Sequence, residues 1–170
     1  QSATTISIQN DVISLGSSAL IKGTVTDQSP GNTSLGVPAA GTPAISDASM
    51  SDWMAYLYMQ QPKPTNATGV KVKLTALDPN KNWQDIGTAV TDAKGNFAIS
   101  WVPPVPGVYS VTATFEGSNS YFNSEGGTAF LVSEANAVNP VVTQQPTQTT
   151  EPTATTPPPT QTTTSASPTA

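Results

Sequence analysis

Between residues 70 and 132, apolar and polar residues alternate in a series of short runs, and this pattern constrains the fold most. The series begins at residues 70–76. Two later runs each place their large apolar side chains on one face, namely Phe97, Ile99 and Trp101 in one and Tyr109, Val111, Ala113 and Phe115 in the other. Side chains in a strand point alternately to opposite faces, so each run has one buried and one solvated face. Because that habit is typical of antiparallel sheets, the pattern predicts an all-β, antiparallel β-sandwich of about seven strands.

Two further strands are predicted before residue 28. Residues 4–8 alternate as an edge strand does, and Ala19, Ile21, Gly23 and Val25 would line one face of a longer strand. An edge strand near a chain terminus satisfies its hydrogen bonds equally well in its own sheet or in another molecule. Both arrangements therefore remain open for residues 4–8.

A helical insert is predicted at about residues 46–60. Ser46 or Asp47 can cap its first turn, and Met50, Trp53, Met54 and Leu57 recur at helical spacing. Pro62 and Pro64 would end it. A helix of this length is marginal alone, so its apolar stripe has to pack on something.

Two interpretations of this insert remain. In the first, the stripe packs across an open end or edge of the sandwich, since an amphipathic stripe is usually core. In the second, four residues form an aromatic and methionine-rich surface that faces a partner: Trp53, Tyr56, Tyr58 and Met59.

Turn signals separate the predicted strands. Residues 78–82 and 92–96 carry Asp, Asn and Gly where tight turns favour them, and both read as hairpins. The spacing of Asp78, Asn80, Asn82 and Asp85 resembles that of a calcium loop. However, Trp83 stands where such a loop needs glycine, and no bidentate glutamate follows. A solvated turn is therefore the prediction, and no metal or cofactor is assigned.

Tyr109 lies two residues before the buried strand position Val111, which is the arrangement of the tyrosine corner in immunoglobulin (Ig)-like sandwiches. This stretch and its neighbours resemble the Ig-like repeat domains of prokaryotic surface proteins, at residues 95–97, 101–103, 106–113, 115–118, 121–124 and 130–132. Residues 46–54, 58–60 and 62–65 are similar to a helical insert found in archaeal cell-surface proteins. In those proteins such a domain follows a β-propeller and precedes a Thr/Pro-rich stalk and a membrane anchor. The resemblance implies an extracellular spacer or interaction module and carries over no catalytic residue.

Composition excludes several classes of function. The chain has no cysteine and no histidine, which removes thiol nucleophiles, the Ser-His-Asp arrangement and the usual zinc sites. Its six cations are all lysine against eleven carboxylates, a net charge of −5, so binding to nucleic acid or to an anionic membrane is disfavoured. The chain has no run of about 18 apolar residues, which is the length that predicts a membrane span. These features favour a non-enzymatic, exported, extracellular segment at a cell surface.

The chain divides by composition into a sandwich at residues 1–135 and a Thr/Pro/Gln-rich stalk or linker at residues 136–170. Such a tail cannot bury enough apolar surface to offset chain entropy, and its prolines favour an extended spacer. Glycans are expected partners, attached to threonines of the stalk or to the Asn-x-Ser/Thr sequons at Asn32 and Asn66.

The sequence favours a structural module that spaces or assembles, with other copies of itself or neighbouring surface domains as partners. The alternative is a carbohydrate-binding or adhesive domain. It would stack sugars on one or more of five aromatic residues: Trp53, Tyr56, Tyr58, Trp83 and Tyr121.

Overall fold

The alternating runs fold as the strands of two facing β-sheets in the computed structural model, which describes residues 1–28 and 40–134. The strands are β1 (Ser2–Ile8), β2 (Val12–Ser14), β3 (Ala19–Asp27), β4 (Thr42–Pro43), β5 (Lys71–Leu77), β6 (Trp83–Val90), β7 (Asn96–Trp101), β8 (Gly107–Phe115) and β9 (Ser124–Ser133). A 3₁₀ turn at Asp47–Ser49 leads into the helix α1 (Met50–Met59). The prediction of an all-β sandwich with one short helix is confirmed. Asn32 and the predicted stalk at residues 136–170 lie outside the described residues.

The first sheet is built around β3. Strand β1 pairs with β3 along its whole length, from Ser2 opposite Asp27 to Ile8 opposite Ile21. The other side of β3 pairs first with β7 and then with the short β4. Strand β1 therefore completes the sheet of its own chain.

The second sheet has the order β2-β9-β8-β5-β6. All its pairs are antiparallel except β2 with β9, which is parallel. The chain crosses from the first sheet to the second between Ile8 and Val12, and Ile13 of β2 is buried in the core. Alternation in the sequence predicts which face of a strand is buried but not its direction, so the parallel pair was not predicted.

The core lies between the sheets. Its largest fully buried side chains are Tyr109, Ile21, Leu74, Val25, Val72, Val111 and Val132. Gly23 lies on this packed interior with the Thr5 carbonyl and the Phe97 ring against its Cα, which leaves no room for a Cβ. Within residues 1–28 and 40–134, every buried polar side-chain atom has a hydrogen-bond partner.

The two turns predicted as hairpins differ in what they connect. Residues 78–82 join β5 to β6, which pair with each other as predicted. Residues 92–96 join β6 to β7, and these strands lie in different sheets, so the hairpin prediction is wrong there. Strand β7 pairs with β3 instead, because β3 offers it a six-residue register from Ala19 to Thr24.

The insert begins and ends close to its predicted bounds, but its capping prediction is wrong. The Asp47 carboxylate bonds to residues 118–120 and does not cap the helix. Neither Ser46, which precedes the 3₁₀ turn, nor Ser49, which precedes α1, forms a side-chain capping hydrogen bond. Their hydroxyls hydrogen-bond to Thr68 Oγ1 instead, and Ser49 Oγ also accepts the Thr68 N–H. The helix ends at Met59, followed by Gln60 in the left-handed conformation with φ 53°.

Candidate interaction surfaces

Trp53 anchors the helical insert. Its side chain is 3% exposed and packs with the fully buried Ile45 and with Ala67 in a small cluster of its own. The ring of Tyr56 lies 5.5 Å from that of Trp53, and Lys63 Nζ lies 5.7 Å from the Trp53 ring centroid, within the range of a cation–π interaction. The indole thus fixes α1 and the segment after it to one hydrophobic cluster.

The last turn of α1 presents the opposite environment. Leu57 is exposed, and Tyr58 and Met59 expose 71% and 68% of their surface. We call these three residues the helix tip. Of the four residues predicted to face a partner, Tyr58 and Met59 are exposed, Tyr56 is half-buried, and Trp53 is in the core. The expectation for Trp53 is therefore wrong, because its large apolar ring is the main anchor of the insert.

Asp47 ties the start of the insert to the sandwich. Its carboxylate accepts hydrogen bonds from Ser120 Oγ at 2.8 Å, from the Asn119 N–H at 3.0 Å and from Ser118 Oγ at 3.1 Å. The Ser120 and Asn119 bonds lower the pKa of this carboxyl most, against a smaller opposing effect of desolvation. These hydrogen bonds give the Asp47 carboxylate a structural role, so it is not available to bind a ligand.

A groove of about 610 Å³ lies beside this contact, at one end of the outer face of the second sheet. The side chains of Lys71, Lys73, Thr88 and Thr114 form part of its lining, together with Glu116. Neither lysine has an acidic side chain within 4 Å in the described part of the chain. The groove therefore offers hydroxyl groups and two lysines that form no ion pair there.

The same outer face carries apolar residues at its other end. Val12, Leu131 and Val108 are adjacent across β2, β9 and β8, and all three are exposed. On the same face but on the other side of β8, Leu77 of β5 pairs with Trp83 of β6, whose side chain is 68% exposed. These five residues, which we call the apolar band, cross all five strands.

Tyr109 holds the connection between β7 and β8. Its hydroxyl donates to the Val105 carbonyl oxygen at 2.9 Å and accepts the Val105 N–H at 3.2 Å, the type of bond that defines a tyrosine corner. The ring stacks on Phe130 and meets Trp101 edge-on. Burial raises the pKa of this phenol, so the hydroxyl stays protonated and able to donate.

The aromatic residues predicted to stack sugars do not form one platform. Trp53 and Tyr121 are buried, and the Tyr121 ring meets Phe115 edge-on in the core. Tyr58 and Trp83 are exposed, but they belong to α1 and β6, respectively. The expectation that Trp53 and Tyr121 stack on a ligand is therefore wrong. Asn66 of the second sequon is exposed between α1 and β5.

The oxygen-rich segment after β5 is a hydrogen-bonded turn. Asp78 accepts the backbone N–H groups of Asn80 and Asn82 on Oδ1, both at 2.8 Å. Within residues 1–28 and 40–134, no three Asp or Glu side chains converge in a way that would hold a metal ion. Across the same residues, no helix has both the length and the apolar character needed to cross a bilayer.

Comparisons with known proteins give structural similarities but no match by sequence. No protein-family model matches the chain, and no curated protein matches it. A crystal structure of a tetra-tandem repeat in the extending region of a large adhesion protein is similar with a TM-score of 0.48 and 16% sequence identity. The similarity covers 78% of this chain and 24% of that one. This chain thus spans about a quarter of the length of the chain it matches.

Proposed function

We propose that this chain is a non-catalytic, extracellular module of a cell-surface protein or surface filament, acting as a spacer or assembly unit. The observation that carries the proposal is the helical insert, which is anchored at Trp53 and leaves Leu57, Tyr58 and Met59 exposed. The exposed tip takes no part in this anchoring, so folding of the sandwich does not account for it.

The helical insert is already held in place before it meets a partner, and this lowers the entropic cost of binding. Association has to offset the loss of side-chain and loop freedom at the interface, so a surface that is already held in place binds with a smaller penalty. The insert is held by the Trp53 cluster, by the bonds from Asp47 to residues 118–120, and by the bonds of Thr68 to Ser46 and Ser49. Tyrosine and methionine are enriched at interfaces. The helix tip therefore suits contact with a neighbouring surface domain.

The resemblance to Ig-like domains and the predicted stalk support the spacer role. The second sheet centres on β8, with β9 and β5 as its neighbours, and Tyr109 closes the corner before β8 by its bonds to Val105. Residues 136–170 are rich in threonine and proline, a composition typical of glycosylated stalks that hold a domain away from a surface. The exposed Asn66 suits a glycan as well.

Surface location can be tested on intact cells of the source organism. Antibodies raised against residues 1–134 should label whole cells in immunogold micrographs, and brief protease treatment of intact cells should remove the label. Labelling that requires permeabilised cells would contradict an extracellular module.

The helix tip can be tested with purified full-length chain and cells from which its gene has been deleted. We expect Tyr58→Ser combined with Met59→Ser to lower binding to those cells about tenfold, since buried aromatic anchors dominate interface energies. Val102→Ser is the control, because Val102 is also exposed but lies directly after the last residue of β7. Equal binding of the tip variant and the control would show that the tip is not an interface.

Carbohydrate binding is the alternative function, and the exposed Trp83 is the residue that favours it. A glycan that stacks on this indole should change its fluorescence, and Trp83→Ser should remove the change, while Trp53 and Trp101 provide an unchanged background. If a glycan panel produces no Trp83-dependent change, the structural role stands alone.

A further inference from the structure

We infer that the outer face of the second sheet pairs with the same face of a second copy of this chain, about a two-fold axis parallel to β8. The inference rests on the assembly role proposed above and names its partner and surface. It uses the sheet face and not the helix tip, so the two surfaces can be tested separately.

Charge complementarity is the first argument. Strand β8 is the middle of the five strands, and its Thr114 pairs with Glu125 of β9 on one side and with Lys73 of β5 on the other. Both charged side chains are exposed and lie one strand, about 4.8 Å, from β8. A half-turn about the two-fold axis above β8 places position 125 of one copy opposite position 73 of the other. Lys73 of each copy then faces Glu125 of the other, which gives two symmetric ion pairs.

The apolar band is the second argument. Val108 lies on β8 and so meets its own counterpart at the axis, while Leu131 and Val12 lie to one side of β8 and Leu77 and Trp83 to the other. The same half-turn carries Trp83 over the β9–β2 side. The Trp83 row is two residues from the Val108 row, about 7 Å along the strand, a gap that an indole ring spans. Exposed apolar residues that adjoin in this way indicate an interaction site more than scattered ones do.

The net charge of the face is the third argument. The chain carries −5 overall, which opposes self-association. The outward residues of the five strands, however, include two lysines and two carboxylates: Lys71, Lys73, Asp85 and Glu125. Glu116, which lines the groove at one end of the same face, adds a third carboxylate, so the face carries a net −1 of the chain's −5 and most of the negative charge lies elsewhere.

The size of the face sets the expected affinity. Five strands about 4.8 Å apart and about seven residues long cover roughly 600 Å² per copy, near the lower limit of specific interfaces. Sheets that pack face to face lie about 10 Å apart, which lets lysine and glutamate side chains meet between them. We therefore expect a weak dimer with a dissociation constant of about 10–100 μM.

Sedimentation equilibrium of the full chain between about 1 and 500 μM tests the dimer. Lys73→Glu and Glu125→Lys should each weaken it about tenfold, because each leaves like charges opposed across the axis. Combining the two substitutions restores opposite charges, so the double variant should dimerise within about threefold of the wild type. Lys22→Glu is the control, because this exposed lysine belongs to β3 of the first sheet.

Each outcome decides the question. A chain that stays monomeric at all concentrations overturns the inference, and so does a double variant weaker than either single variant. Val108→Asp provides an independent arm, since it opposes two carboxylates at the axis and should abolish the dimer while circular dichroism shows an unchanged sandwich. Absence of label on intact cells would reject the proposed location without altering sedimentation of the purified chain. The two failures are therefore distinguishable.

Discussion

The turns at residues 78–82 and 92–96 have almost the same local structure and different roles in the fold. In each, the first residue is an aspartate whose Oδ1 accepts the N–H groups of the third and fifth residues, and whose Oδ2 accepts the side-chain amide of an asparagine at the fifth. The distances are 2.8, 2.8 and 3.2 Å in the first turn and 2.8, 2.9 and 3.2 Å in the second. One turn closes a hairpin, whereas the other carries the chain into the opposite sheet.

The difference between the turns lies in what surrounds them. The fourth residue has positive φ in both, 69° at Lys81 and 81° at Gly95. Lys81 is exposed, but Gly95 is buried against β3, where a Cβ would lie 2.6 Å from the Val25 carbonyl oxygen. The Gly95 carbonyl also accepts the Val25 N–H at 2.8 Å. Local hydrogen bonding therefore fixes the turn, and packing on β3 decides that the second one needs glycine.

The largest expected contrast comes from placing alanine at the fourth position of each turn. Gly95→Ala should lower the free energy of unfolding by about 2–3 kcal/mol, because the new Cβ clashes with the β3 backbone and adopts an unfavourable φ. Lys81→Ala should change it by less than about 0.5 kcal/mol, since φ stays the same and no packing changes. Urea unfolding followed by circular dichroism measures both, and equal losses would show that packing on β3 does not distinguish the two turns.

Removal of the two aspartates should separate the turns less sharply. The Asp78 side chain is buried and also accepts Gln84 Nε2 at 3.3 Å, whereas Asp92 is exposed. We expect Asp78→Ala to lower Tm by roughly 5–10 °C and Asp92→Ala by about half as much, because buried donors lose more when their acceptor is removed. A larger effect at Asp92 would show that the crossover depends on its turn more than the hairpin does. Differential scanning calorimetry gives both values.

Acid should weaken both turns. The Asn82 N–H is the main cause that lowers the pKa of Asp78, against some desolvation. At Asp92 desolvation is the largest effect and raises the pKa, but the bonds from Asn96 and Lys94 together outweigh it. Both carboxyls titrate below their ordinary value of 3.8 when folded, so their stabilisation is complete above that pH and is lost as the pH falls through the lowered folded values.

Tm measured from about pH 6 to about pH 2 tests this dependence. We expect Asp78→Asn and Asp92→Asn each to flatten the acid limb of the curve, because asparagine does not titrate. Asp52→Asn is the control, since this exposed aspartate lies on α1, away from both turns. If the two turn variants lose stability in acid as steeply as the wild type, other groups dominate the acid transition.

The smallest expected effect is a gain. Lys81→Gly should raise the free energy of unfolding by about 0.5 kcal/mol, because glycine adopts positive φ without strain although it adds some entropy to the unfolded chain. The variant gives the first turn the fourth residue of the second. A loss of stability would mean that Lys81 makes a favourable contribution that outweighs its backbone strain.

The helical insert shows how far its sequence alone could be interpreted. Helical spacing predicted an apolar stripe, and the stripe packs through Trp53 as expected. The partner-facing hypothesis grouped the buried Trp53 with the exposed Tyr58 and Met59 by residue type, since all are apolar or aromatic, although Tyr58 and Met59 are not on that stripe. The separation depends on where Ile45 and Ala67 meet the helix, and both come from outside it. Exposure was therefore predicted correctly for Tyr58 and Met59 and incorrectly for Trp53.

The arrangement of charged residues on the outer face of the second sheet could not be predicted from the sequence. The positions of Lys73 and Glu125 in one row depend on the registers of β8 with β5 and with β9. These registers join residues that are far apart in the chain, and a shift by one residue would send either side chain to the core. No local pattern contains that information.

Local sequence patterns were enough to predict the sandwich, the two Asp–Asn turns and the position of the helix, because alternation, turn chemistry and helical spacing act over a few residues. The tertiary structure alone decided that β7 leaves β6 for β3, that β2 runs parallel to β9, and which apolar side chains stay exposed. These outcomes depend on which strand pairings and packing contacts give the lowest free energy, and that competition involves the whole chain.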